Sequence, residues 1–299
     1  MIKTYPKTAC FFSRISLLAL FLCALQNMAL ASGGGISASP NGAPQKLVEV
    51  EALEPKPEQT PTTSAEPTST SNTAAESNKL QPPKKNDILP YQAEYKISSN
   101  SLSTNATRTL SKKGDNWLLS QQAKLMFMKV SEESVIEDGA DGLRPLHYEY
   151  ENNMSSKQDQ SIKFDWASRS ASDKKYRKPW SSDVSDDTFD QLSAQLKMRE
   201  MMINNRLKDE ISLSVVNRGK HKTYTVKQLN EETIDSAVGK LRTVKLLRSR
   251  PGSSSETTIW LAKDWNYLIV KLEQREDDEV YSLELLKASL DGKAVEGLR

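Results

Sequence analysis

"TTIWLAKDWNYLIVKLEQRE", residues 257–276, holds two apolar-rich runs on either side of a short break. Successive side chains of a β-strand point to opposite faces, so Leu268, Val270 and Leu272 are expected on one face and Ile269, Lys271 and Glu273 on the other. Trp260 falls in the run before the break and Trp265 beside it, which predicts an antiparallel hairpin. After "REDDE", Tyr281, Leu283 and Leu285 add a third strand with the same period.

The same period recurs upstream. Tyr91, Ala93, Tyr95 and Ile97 alternate with polar neighbours. "NWLLSQQAKLMFMK" places Trp117, Leu119, Ala123, Leu125 and Phe127 on one face, and "SIKFDWAS" does so for Ile162, Phe164 and Trp166. Ile211, Leu213 and Val215, then Val244 and Leu246, mark further strands. Between them lie "KKGDN", "EDGADG", "NRGK", "AVGK" and "RPGSS", which supply Gly or Asn where tight turns need positive φ. No strand–helix–strand rhythm of about 30 residues appears, which argues against a parallel α/β sheet. The fold class expected is mainly β: a curved antiparallel sheet or half-barrel with one amphipathic helix packed on it.

That helix is expected in "SDDTFDQLSAQLKMREMMINNR", with Asp187 or Thr188 as N-cap and Thr188 and Gln191 at capping-box spacing. Phe189, Leu192, Leu196 and Ile203 follow at helical spacing, beside Met198, Met201 and Met202.

The N-terminal stretch has a different character. Lys3, Lys7 and Arg14 precede an apolar run, Ile15 to Leu25, and "ALA" ends at Ala31. This layout predicts a signal peptide over 1–31, and hence a periplasmic protein. The run of 11 residues falls short of the roughly 20 that span a bilayer, so no stable transmembrane segment is expected. Lipidation at Cys23 fits poorly, because Leu22 is bulky and the apolar run continues beyond the cysteine. Residues 32–88 carry eight of the 13 prolines and no aromatic residue, the composition of a disordered Pro/Ser/Thr-rich linker. The antiparallel β domain is then expected over 89–299.

Composition narrows the chemistry. Cys10 and Cys23 are the only cysteines and both precede Ala31, so the mature chain would have no disulfide or thiolate. From Leu89 onward 33 Lys and Arg face 32 Asp and Glu, a balance that disfavours nucleic acid as a partner. The runs "DKKYRK" and "REDDE" read as solvated turns. His147 and His221 sit alone in strand patterns, and no His-Glu-x-x-His, Gly-x-Ser-x-Gly or Gly-rich phosphate loop occurs. "DGADG" lacks the ligand spacing of a calcium loop. Glu132 and Glu133 are adjacent, in sequence that reads as turn-like, and adjacent strand residues face opposite ways, so they form no acid/base pair. The expectation is a non-enzymatic protein without cofactor, metal site or catalytic residue.

Four stretches resemble an exported bacterial family, domain of unknown function 3108: "GLRPLHYEY" (142–150), "IKFDWASR" (162–169), "DQLSAQLKMRE" (190–200) and "TIWLAKDWNYLIVKLEQRED" (258–277). The resemblance runs from Tyr91 to about Leu290 and brings no agreed activity. Where that family tends to Pro and Gly, this chain has Ile269 and Asp278. The plan also looks like the half-barrel of periplasmic lipoprotein carriers, which hold acyl chains in an apolar concavity. That likeness implies an apolar ligand, a lipid or lipoprotein acyl chain, or an envelope protein partner on the concave face. Phe127, Phe164, Trp166, Trp260, Val270 and Leu272 are the candidate lining residues. The alternative is a structural or assembly factor of the cell envelope acting through protein contacts, and a hydrolase is the remotest reading.

Overall fold

The computed structural model describes residues 87–99, 102–276 and 279–298. The signal peptide and nearly all of the linker expected from the sequence lie outside them. Ile88, assigned to the linker, is instead a buried core residue.

Among the described residues sixteen strands follow in order: β1 (Tyr91–Ser99), β2 (Leu102–Lys113), β3 (Asn116–Leu125), β4 (Met128–Gly139), β5 (Gly142–Asn152), β6 (Gln160–Asp165), β7 (Ser170–Asp173) and β8 (Trp180–Asp183). Then come β9 (Thr188–Phe189), the helix α1 (Gln191–Ile203), β10 (Glu210–Asn217), β11 (Lys220–Ser236), β12 (Gly239–Ser249), β13 (Glu256–Ala262), β14 (Leu268–Glu276), β15 (Glu279–Leu290) and β16 (Lys293–Ala294). They form one open, curved sheet in the order β8-β7-β6-β5-β4-β3-β2-β1-β15-β14-β13-β12-β11-β10-β9, with β16 added to β15. Every pairing is antiparallel except the short parallel contact of β9 with β10. The sheet is thus two meandering wings, joined where Tyr91 to Ser99 pairs with Tyr281 to Leu290.

The alternation read from the sequence sets the inner face. Tyr91, Ala93, Tyr95 and Ile97 are buried and Gln92 and Lys96 exposed. Leu283 faces Ile97 on one side and Leu272 on the other, and Ile259 and Leu246 continue the layer. Each fully buried aliphatic or aromatic side chain contributes roughly 1.5–3 kcal/mol.

One irregularity breaks the pattern. The β13–β14 register shifts between Trp260 and Leu261, leaving Val270 as the bulged residue. Leu268, Ile269 and Val270 are therefore all buried, and Ile269 does not turn outward with Lys271. Tyr95 closes the polar gap by donating its hydroxyl to the Ile269 carbonyl over 2.9 Å.

The helix departs from its expected form. Asp190, not Asp187 or Thr188, is the N-cap: its carboxylate accepts from the amides of Leu192 and Ser193, and the Ser193 hydroxyl accepts from the Asp190 amide. Thr188 and Phe189 are taken up by β9. Nor does α1 carry an apolar stripe and a wet face. Of its residues only Lys197 and Met201 escape burial, because the sheet curves round it and packs on several sides.

The first wing meets the β10–β11 turn of the second through side chains. The Arg218 amide donates to Gln160 Oε1 at 3.0 Å, and His221 Nε2 lies 3.0 Å from the Ser182 hydroxyl. Gly219, at φ 72°, sits where an added Cβ would come within 2.9 Å of the Trp180 ring. Only glycine fits that seam.

Candidate functional site

A helix enclosed by a sheet presents polar side chains to the interior, and each needs a partner. On one side they find it. Arg108 of β2 donates through Nη1 to Gln195 Oε1 at 2.8 Å and through Nε to the Tyr91 hydroxyl at 2.9 Å. Gln121 of β3 donates to Glu132 Oε2 of β4 at 2.8 Å, and Ser134 of β4 donates to Asp190 Oδ2 at 2.7 Å. Toward the helix C-terminus, Arg199 holds the Asn266 carbonyl and side chain and the Leu89 carbonyl, with its guanidinium 5.0 Å from the Tyr91 ring centre. Glu200 is bound by Arg206, Lys197 and Asn204.

Burial sets the ionisation of this cluster. Loss of water pushes the Glu132 carboxyl up to about 8, against the hydrogen bond from Gln121 and the nearby Arg108. At neutral pH it therefore holds its proton. Burial also raises Asp190, despite the amides it accepts, and lowers Arg199 to about 10. A cavity of about 10 Å³ beside Arg108, Gln121 and Glu132 has room for one water molecule.

The other side of the helix differs. Ala194 and Met198 face Leu213, Val226, Ile259 and Leu272 across a cleft whose inner space is about 30 Å³. Its lining is mainly apolar, with Gln191, Gln195 and Arg248 also on its border; Arg248 stacks 4.8 Å from the Tyr224 ring centre. An acyl chain needs a pocket of several hundred Å³. The helix occupies the concavity that the sequence reading left open for it.

The six residues expected to line a ligand site do not come together. Leu272 borders the cleft, and Val270 lies in the adjacent bulge. Phe164 and Trp166 form a separate stacked pair, ring centres 6.1 Å apart, with Trp166 Nε1 donating to the Pro145 carbonyl. Trp260 pairs with Lys245 and Lys271, on the face opposite Ile259 and Leu272. There it donates to Glu232 at 2.6 Å beneath the two ammonium groups. That bond holds Glu232 below the usual carboxylate range. Phe127 leaves its strand altogether and stands 60% exposed in the β3–β4 turn.

What sequence reasoning missed is the polar cluster. Arg108, Gln121, Glu132 and Ser134 all occupy inward positions, in step with Ala106, Leu119, Val130 and Ile136. Glu132 and Glu133 lie in mid-strand, not in a turn, though on opposite faces as expected. Polar residues at apolar parity were the available signal. Among the described residues no group of three or more His, Cys, Asp or Glu could hold a metal ion, and no helix is long and apolar enough to cross a membrane.

No curated protein matches the chain. A solved structure of similar shape is a β-barrel-like protein of domain of unknown function DUF1849 from Brucella abortus. It shares 9% identity at a TM-score of 0.45, over 68% of this chain and 98% of that one. The profile of the family described as Protein of unknown function (DUF3108) matches residues 91–285, from the first strand into the last long one, and the chain belongs to that family.

Proposed function

We propose that this is an exported, non-enzymatic protein of the cell envelope that binds an apolar ligand, the acyl chain of a lipid or lipoprotein, between α1 and the wall formed by β10 to β14. The observation that carries the reading is the uneven attachment of α1, which Arg199 ties to Asn266 at its C-terminal end while its middle meets the wall from β10 to β14 mainly through apolar side chains. Hydrogen bonds from Arg108 and Ser134 fasten it toward β2 and β4, whereas the space between Ala194 or Met198 and Leu213, Val226, Ile259 and Leu272 is closed mainly by apolar contact. Apolar contacts are non-directional, so a ligand of matching chemistry can replace them with little loss, while a hydrogen-bonded face cannot open without stranding buried polar groups. The ligand enters by parting helix and wall. The leader and linker read from residues 1–88 supply the envelope setting.

Displacement of a fluorescent fatty acid, with native mass spectrometry in phospholipid, tests this directly. Wild-type protein is expected to bind one chain, and Ala194→Leu, which fills the cleft, to weaken binding at least tenfold while circular dichroism stays unchanged. No binding by the wild-type protein, or equal binding by the variant, overturns the reading.

A further inference from the structure

In an antiparallel meander alternate turns fall at the same end of the sheet. The turns β1–β2, β3–β4, β5–β6 and β7–β8 therefore share one end. The chain connects the middle two directly: Asn153, just after β5, donates to the Phe127 carbonyl at 3.0 Å and accepts from the Lys129 amide at 2.6 Å.

That end carries an unusual set of side chains. Met126 is 79% exposed, Phe127 60% and Met154 54%, the three highest values among the exposed large apolar residues apart from Leu298, which equals Met154. Leu102, at the start of β2, adds a fourth. Leu125 pairs with Met128, so Met126 and Phe127 alone form the hairpin loop. Such loops favour Asn-Gly because they need positive φ. Met126 adopts φ 55° there without glycine's freedom, at a cost of about 1 kcal/mol. Neither exposed side chain returns that cost through core packing.

Around these tips stand Lys124, Lys129 and Lys157, and the β7–β8 turn adds Lys174, Lys175, Arg177 and Lys178. All seven are exposed, and none forms an ion pair with a described residue. The acids in the β5–β6 and β7–β8 connections and flanking them are Glu151, Asp159 and Asp173, of which Asp159 and Asp173 are engaged by backbone amides. The pairing of Ser99 with Tyr281 brings Glu276 and Glu279 to this end too, beside Leu102, with Glu279 accepting from the Tyr281 hydroxyl. Turns at the opposite end mix the two signs, with Asp115 beside Lys112 and Lys113 and with Asp141, Asp235 and Asp264 paired to Arg144, Lys240 and Arg242.

We propose that this end docks on an anionic lipid surface, with Met126, Phe127 and Met154 entering the headgroup region and the surrounding cations resting on phosphates. The inference stands whether or not the helix cleft opens. A protein partner fits less well: stable interfaces bury about 800 Å² per side and are depleted in lysine, whereas this end offers a few separated apolar tips in a field of flexible ammonium groups. Apolar tips within a cationic field are what an anionic bilayer holds.

The test uses the purified full-length chain with vesicles of phosphatidylglycerol and phosphatidylcholine, or of phosphatidylcholine alone. The comparisons between variants share residues 1–86, so whatever those residues add is common to them. Binding is expected to favour the anionic vesicles at least tenfold and to vanish in 0.5 M salt. Phe127→Ser should weaken it about tenfold, and the triple change of Lys174, Lys175 and Lys178 to Ala about hundredfold, since each cation near such a surface is worth about fivefold. Leu229→Ser, remote from this end, should bind as the wild type does. Phe127→Trp places a reporter in the same turn, and its emission should shift to the blue only with anionic vesicles. Equal binding to both vesicle types, indifference to Phe127→Ser, or a photo-crosslinker at position 127 that captures a protein in cells while vesicle binding is absent, each overturns the proposal.

Discussion

Arg108 on β2 and Gln195 in the middle of α1 are joined by a 2.8 Å hydrogen bond inside the curve of the sheet, with Arg108 itself 5% exposed. The guanidinium is held in the interior by Gln195, Gln121 and the Tyr91 hydroxyl, and the helix is held by the guanidinium.

Arg108→Met should cost about 2–4 kcal/mol, because it leaves Gln195 and Gln121 without their donor while removing only part of the packing. Gln195→Leu should cost less. In a double-mutant cycle by urea denaturation the pair is expected to couple by about 1 kcal/mol or more. Strict additivity would show that the bond does not fasten the helix.

Glu132 gives the fold a pH dependence. Its folded value of about 8 lies above the ordinary 4.5, so the folded chain keeps a proton that the unfolded chain releases. That contribution is complete below pH 4.5 and is lost as pH rises toward 8. Asp190, also raised, acts in the same direction. Stability measured from pH 5 to 8 should therefore fall, by up to roughly 1 kcal/mol per unit from Glu132. Glu132→Gln, which has no such proton to lose, should flatten the profile and exceed the wild type at pH 8.

Gly219 and Gly252 have nearly equal φ, 72° and 73°, but different surroundings: a Cβ meets the Trp180 ring at the first and nothing within 4 Å at the second. Gly252→Ala should cost about 1 kcal/mol, the left-handed backbone alone. Gly219→Ala should cost distinctly more in chemical denaturation, and the difference measures the seam between the wings.

Met126→Gly should raise the unfolding midpoint, since glycine accepts φ 55° without strain. The same change should reduce binding to anionic vesicles. A gain in stability with a loss of binding is the signature of a turn kept strained for contact.

Much of the sheet was legible because its inner face is apolar at every second residue, as in Tyr91 to Ile97, and because Gly114, Gly219, Gly239 and Gly252 mark four turns, each with φ above zero. The β3–β4 turn was hidden. "LMFMK" continues the apolar alternation through the loop, so Phe127 read as a wall residue. The bulge at Val270 was hidden too, since a register shift leaves no mark in composition. The helix cap was misplaced because Thr188 and Gln191 match a capping box as well as Asp190 and Ser193 do; the contest is decided by the pairing of Thr188 and Phe189 with Ser214 and Val215. The polar cluster escaped because a search for alternation counts apolar residues and passes over Gln121 and Glu132 standing among them.

The joining of β1 to β15 dictates the order in which the molecule can be assembled. The wing from β1 to β8 consists of neighbouring hairpins and can zip up while the rest of the chain is still being synthesised. The central pairing of Tyr91 with Leu290 has to wait until β15, about 200 residues further along the chain, is available. Until then one edge of the first wing is bare and the buried polar groups of α1 lack half their enclosure, so the slow and vulnerable moment in the life of this chain lasts until β15 docks.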